Sequence, residues 1–262
     1  MSRIISVVNQ KGGVGKTTTA INLGAALAAL GKFVLLIDID PQANATSGLG
    51  LNHREIDRGI YEVLLTPTSL SEVVRDTHLY GYKIAPATIS LAGATVELVN
   101  LPRREYLLQD NLREVLSDYD YIIIDSPPSL GLLTINGLVA SREVLIPVQC
   151  EYFALEGLGQ LLNTIDLVRN NLNSDLQILG AVMTMYDPRY KLTREVMEEL
   201  YKYFPNRIFR SVIPRNIKLA EAPSHGLPIR DYALRSRAAN AYQRLGREVI
   251  DTEIKPINTP KP

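Results

Sequence analysis

Nine residues near the start of the chain limit its possible folds more than any other segment: Gln10-Lys11-Gly12-Gly13-Val14-Gly15-Lys16-Thr17-Thr18. They follow an apolar run at 4–8 and lead into a stretch, 17–30, whose apolar residues recur at three- and four-residue spacing. A strand that turns through glycines into a helix is the setting of a phosphate-binding loop. Glycine lets backbone N–H groups converge on phosphate oxygens with no Cβ between them. The helix N-terminus adds the positive end of its dipole. In such a loop Lys16 reaches the outer phosphates and the Thr17 hydroxyl ligates Mg²⁺. A glycine-rich turn without a ligand is the plainer alternative, and the Gly15-Lys16-Thr17 frame argues against it.

Other segments extend the pattern. Residues 33–37, 121–124, 144–148 and 178–183 are apolar at nearly every position, as in strands buried on both faces of a parallel sheet. Between them, 155–172 and 194–203 carry helical spacing. This alternation predicts an α/β fold: a doubly wound, mostly parallel β-sheet with helices on both faces. No repeat or Gly/Ser-rich linker divides the 262 residues, so one domain is expected at 1–250. A short tail at 251–262, with four charges and three prolines, is expected to fray. Segment 52–105 carries the least signal.

Composition removes several function classes. A single cysteine, Cys150, excludes an internal disulfide and any four-cysteine cluster within the chain; it is expected to be a small buried residue. Its rarity suits a reducing cytoplasm. The run at 4–8 is too short for a signal-peptide core, and no apolar stretch approaches the ~20 residues of a membrane helix. The three histidines show no metal-ligand spacing.

Two acidic motifs complete the candidate site. Leu35-Leu36-Ile37-Asp38-Ile39-Asp40-Pro41-Gln42 places two carboxylates just past the second strand. Ligands sit at the C-terminal ends of strands in such sheets. Tyr121-Ile122-Ile123-Ile124-Asp125-Ser126-Pro127-Pro128 reads as a Walker B strand, with Asp125 holding Mg²⁺ through water. A turn or helix cap is the bland reading for each acid.

The glycine loop has Gln10 where the standard pattern has its first glycine, and an extra lysine, Lys11. Lys-Gly-Gly-Val-Gly-Lys-Thr-Thr resembles the deviant Walker A signature of the ParA/MinD group of SIMIBI-type P-loop ATPases. The likeness runs from residue 4 to about 249. It includes Pro147-Val148-Gln149-Cys150-Glu151, Val212-Ile213-Pro214-Arg215-Asn216 and Glu221-Ala222-Pro223-Ser224-His225-Gly226, and it is nearest the chromosomal ParA, or Soj, branch. The resemblance implies ATP and Mg²⁺ as cofactors, held by Lys11, Gly12, Gly13, Val14, Gly15, Lys16, Thr17 and Thr18, with Pro214 and Asn216 near adenine. It implies catalytic roles for Lys11, Lys16 and Asp40. Lys11 would reach the partner's nucleotide across a homodimer, and Asp40 would orient the attacking water. Thr17, Asp38 and Asp125 would serve the metal, both aspartates through water. An ATP-bound sandwich dimer would bind double-stranded DNA without sequence preference. A ParB-type centromere-binding partner would stimulate hydrolysis and release. The expected location is cytoplasmic and nucleoid-associated, with no stable membrane anchor.

The formal net charge is zero, which by itself disfavours a nucleic-acid binder. The charge is unevenly placed, however. Between Met183 and Arg247 there are 13 basic residues against six acidic ones, so +7 there is offset by −7 elsewhere. A basic region supplies phosphate contacts. The resemblance singles out Arg189 and Lys218 for DNA, with Arg215 third; Arg215 could instead stay near the nucleotide. Solvated helix faces or intrachain ion pairs are the alternative for these residues. Competing readings of the whole chain are a MinD-like membrane-associated ATPase, a metabolic ATP-dependent ligase on the same fold, and a nucleotide-gated scaffold with negligible turnover.

Overall fold

A computed structural model of the chain describes residues 2–151, 157–205 and 207–252, with side chains at 191–194 excluded. Among the described residues, seven strands form one sheet: β1 (Arg3–Val7), β2 (Val34–Asp38), β3 (Arg75–Asp76), β4 (Tyr82–Ala85), β5 (Tyr121–Asp125), β6 (Glu143–Gln149) and β7 (Gln177–Thr184). The spatial order is β3-β4-β2-β5-β1-β6-β7. Every neighbouring pair is parallel except β3 with β4.

The helices described are α1 (Lys16–Ala29), α2 (Asn44–Gly48), α3 (Ile60–Leu65), α4 (Leu70–Val73), α5 (Leu91–Glu97), α6 (Leu107–Leu112) and α7 (Leu132–Ala140). They continue with α8 (Leu158–Asn171), α9 (Lys191–Tyr203), α10 (Lys218–Glu221), α11 (Ile229–Tyr232) and α12 (Arg237–Asp251). The doubly wound, mostly parallel sheet expected from the alternation is present. Residues 155 and 156, expected to begin a helix, and most of the expected tail, 253–262, lie outside the described residues.

Because strand side chains alternate, the apolar runs serve two helical layers. Ile5, Val7, Val34, Leu36 and Ile123 pack with α1 and α12. Leu35, Ile37, Ile122 and Ile124 pack on the other face with α3, α5 and α6. Val144, Ile146, Ala181 and Met183 join α7, α8 and α9. Each such Val, Leu, Ile or Met side chain, once fully buried, contributes roughly 1.5–3 kcal/mol relative to exposure.

Segment 52–105 holds α3, α4, β3, β4 and α5, elements of two to seven residues. Pieces this short do not complete the repeats that make a helix or strand readable from its pattern. The chain crosses from β1 to β2 on one side and later returns to β6 on the other. That reversal opens a crevice at the C-terminal edge beside β1.

Candidate functional site

The glycine loop leaves β1 and closes into α1 at that crevice. Gly13 (φ 76°) and Gly15 (φ 88°) adopt the left-handed backbone that a Cβ resists. Three side chains brace the loop from below. Asn9, 4% exposed, donates from Nδ2 to the Pro147 carbonyl at 2.8 Å, and its Oδ1 accepts the Lys11 N–H at 3.0 Å. Thr184, at the end of β7, donates to the Val14 carbonyl at 2.8 Å. Lys16 Nζ donates to the Lys11 carbonyl at 3.1 Å, folding the loop over its own lysine. Gly12 and Gly13 are exposed, Val14 is buried, and Thr17 and Thr18 are half-buried in the first turn of α1.

The acids converge through strand register. Asp38 and Asp125 end β2 and β5 as direct neighbours in the sheet. Both are fully buried, yet they are treated differently. Asp38 Oδ2 accepts the Thr46 N–H (2.8 Å) and hydroxyl (2.7 Å), and Oδ1 accepts the Asp40 N–H (3.1 Å). Asp38 therefore braces segment 40–46 from within. Neither oxygen of Asp125 has a partner at ordinary hydrogen-bond geometry, although the Thr17 hydroxyl lies close enough to interact with the carboxyl. Burial, then the neighbouring Asp38, pushes the Asp125 carboxyl well above the usual carboxylate range; Thr17 and Lys16 pull it back only in part. Asp38 is also pushed up, to about 6, chiefly by burial. Lys16, 6% exposed, is pulled below the ordinary lysine value by burial, against the attraction of Asp125 and Asp40. Asp40, 4% exposed, accepts the Gln42 N–H at 3.0 Å.

A buried carboxylate with two unpartnered oxygens is costly unless a ligand completes it. Asp125 with the Thr17 hydroxyl offers hard oxygen donors of the kind a hydrated divalent cation takes. The open glycine loop and Lys16 suit the anion that such a cation accompanies. Among the described residues, no cluster of three or more His, Cys, Asp or Glu forms a separate metal site.

Lys11 pairs with an acid of its own chain. Its Nζ lies 3.5 Å from Glu151 Oε2, and Arg215 lies 3.6 Å from Glu151 Oε1. Sequence reading quoted Glu151 only as part of a resemblance and assigned it no role; Asn9, Thr46 and Thr184 were also missed. One signal was available. Asn9, Asp38, Asp125, Gln149 and Thr184 are polar residues that end or follow apolar strands, all at the same edge of the sheet.

The three DNA candidates gather beyond β7. A bridge between Tyr186 and Pro214, with Arg215 N–H donating to the Tyr186 carbonyl at 3.3 Å, joins the 186–189 and 214–218 turns. Arg189 is 81% exposed and grips Asp187 at 2.6 and 2.9 Å. Those hydrogen bonds hold Asp187 down to about 2. Arg215 and Lys218 are exposed, and Asn216 Oδ1 accepts the Lys218 N–H at 3.0 Å. The backbone of Lys218 thus opens α10, while Arg189 and Arg215 each face an acid. No helix among the described residues is long and apolar enough to cross a membrane.

Comparison with known proteins agrees with this architecture. A family model described as an AAA domain matches residues 2–178. The sporulation initiation inhibitor protein Soj of Bacillus subtilis is 55% identical over 249 residues, covering 95% of this chain and 98% of the relative. The chromosome partitioning protein ParA of Myxococcus xanthus is 52% identical over 250 residues, covering 95% and 88%. A solved structure described as cobyrinic acid a,c-diamide synthase from Mycobacterium smegmatis, with bound ADP and magnesium, superposes with a TM-score of 0.85 at 38% identity, covering 95% and 94%. With a sheet, a glycine loop and acidic strand ends of this kind, and identity above one half along nearly its whole length, the chain belongs to the Soj/ParA family of chromosome-partitioning ATPases.

Proposed function

We propose that this protein is a Mg²⁺-dependent ATPase whose nucleotide state controls pairing and DNA binding. The observation that carries the reading is Asp125, buried with both oxygens unpartnered beside Lys16 and Thr17. Its support from outside is the ADP and magnesium bound by the M. smegmatis structure.

In this reading the backbone from Gly12 to Thr18 and the Lys16 ammonium hold the phosphates, with Pro214 and Asn216 beside adenine. Thr17 and Asp125 hold Mg²⁺, Asp125 through water. When bound, the ion spreads the charge that develops on the transferring phosphoryl group. Asp38 adds its charge to that site and keeps Asp40 in place through the Asp40 N–H. Asp40 orients the water that attacks the terminal phosphorus, and the bond to the ADP oxygen breaks. Lys11 reaches the nucleotide of a second copy and stabilises the same charge.

Two copies joined around nucleotide would present two basic strips on one particle. Each strip carries Arg189, Lys218 and Arg215. Doubling a weak site raises its apparent affinity without new contacts, so DNA binding would follow ATP-driven pairing. A ParB-type partner would accelerate hydrolysis and release the protein from the nucleoid.

The test is DNA binding with ATP, with ADP and without nucleotide, at several salt concentrations. Tighter binding with ATP, falling steeply with salt, is expected; equal binding in all three states would overturn the nucleotide-controlled reading. A second reading, ATP-dependent amide synthesis, rests on the description of the M. smegmatis structure. ATP turnover that rises with a carboxylic acid and an amide donor, and not with DNA and partner, would favour it.

A further inference from the structure

Glu151 follows β6 and stands between the glycine loop and the basic strip. One oxygen faces Lys11 at 3.5 Å; the other faces Arg215 at 3.6 Å and accepts a 2.6 Å hydrogen bond from Gln149 Nε2. Gln149 is buried at the end of β6, so the carboxylate is aimed by the sheet itself. The Arg215 end is equally anchored, because the Tyr186–Pro214 bridge fixes its turn to the chain leaving β7. One carboxylate therefore ties two cations from distant parts of the sequence, each assigned above to a contact outside its own subunit.

The side chains are 33% exposed at Lys11, 45% at Glu151 and 62% at Arg215. Ion pairs this wet are weak and reversible. A polyphosphate in a closed site, accepting charge-assisted hydrogen bonds from Lys11, outcompetes such a carboxylate. The arrangement is thus strong enough to bias the free chain and too weak to block the paired one.

We infer that Glu151 is an intrachain clasp that holds Lys11 and Arg215 within their own subunit, suppressing pairing and DNA binding in the absence of nucleotide. The inference deepens the proposed function and rests on its assignment of Lys11 to a partner's nucleotide and Arg215 to DNA. Glu151 is a positioning residue here, acting through the two cations rather than on phosphate.

Glu151→Gln separates the possibilities, since the amide keeps the shape and can still accept from Gln149. Without nucleotide, E151Q should bind duplex DNA about three- to tenfold more tightly than wild type, with a steeper salt dependence. The gain should vanish in the E151Q/R215A double variant. E151Q should also pair at lower ATP concentration, read by light scattering. Unchanged DNA binding and pairing in E151Q would overturn the clasp. So would a loss of ATP-driven pairing without any nucleotide-free gain, which would make Glu151 an interface residue. If wild type itself binds no DNA with ATP, the DNA assignment fails instead, and the pairing measurement alone decides the clasp at Lys11. Equal circular dichroism spectra and melting temperatures check that E151Q is folded.

Discussion

The two ends of the central strands handle buried charge in opposite ways. At the N-terminal end, Arg3 opens β1 and Glu143 opens β6, and they meet in a two-pronged pair at 2.8 and 2.7 Å. Glu143 is 1% exposed, and Arg3 also donates to the Val249 carbonyl and lies over the Tyr121 ring, 5.5 Å from its centroid. Every charge there is answered by the protein. At the C-terminal end, Asp125 has no hydrogen-bond partner and the Lys16 ammonium donates to one carbonyl. A satisfied pair holds strands in register, whereas an unsatisfied one marks a candidate ligand site.

That contrast can be broken by experiment. Lys16→Ala should cost the most in function, a loss of nucleotide affinity of about 100-fold or more, roughly 2.7 kcal/mol or above. Titration calorimetry with ATP and Mg²⁺ measures it, and retained tight binding would sink the loop assignment. Glu143→Gln should lower stability by about 1–3 kcal/mol, because it leaves the half-buried Arg3 without its charge partner. Urea unfolding reads this, and nucleotide affinity should stay at the wild-type value. If both variants lose both properties, the two ends are not separate. Asp40→Ala should keep ATP binding, accumulate paired protein and slow phosphate release about tenfold or more. Wild-type turnover would remove its role.

Asp125→Asn sharpens the comparison. Removing a buried, unanswered charge should raise the melting temperature of the nucleotide-free protein, by an effect of about 1 kcal/mol, while weakening Mg²⁺-dependent ATP binding. A fall in melting temperature would show that Asp125 is satisfied after all. The smallest effect is expected from the exposed strip. Arg189→Ala with Lys218→Ala should weaken DNA binding several-fold and flatten its salt slope by about 2, with ATP-driven pairing intact. An unchanged slope would remove the strip from the DNA surface.

Legibility followed the same division. The glycine loop, Asp38, Asp40 and Asp125 were readable because each is a short contiguous motif after an apolar strand. Buried parallel strands announce themselves by unbroken apolar runs, as 121–124 does. The helix α12 escaped notice although Ala238, Ala241, Tyr242, Leu245 and Val249 line one face of it. Small residues and interspersed charges dilute that pattern, and only its docking on α1 explains it. The elements of 52–105 were too short to read.

Sequence alone gives the glycine loop, the strand-ending acids and the winding of the sheet, since these depend on local backbone preference and apolar periodicity. It also located the excess of basic residues between Met183 and Arg247. Tertiary structure decided which of those charges are answered. Asp38 meets Thr46, Asp125 lies beside Thr17 and Lys16 with neither oxygen in a hydrogen bond of ordinary geometry, and Glu151 joins Lys11 to Arg215 across 204 positions of sequence. Charge interactions depend on distance and burial, and neither quantity is fixed until distant segments are packed together.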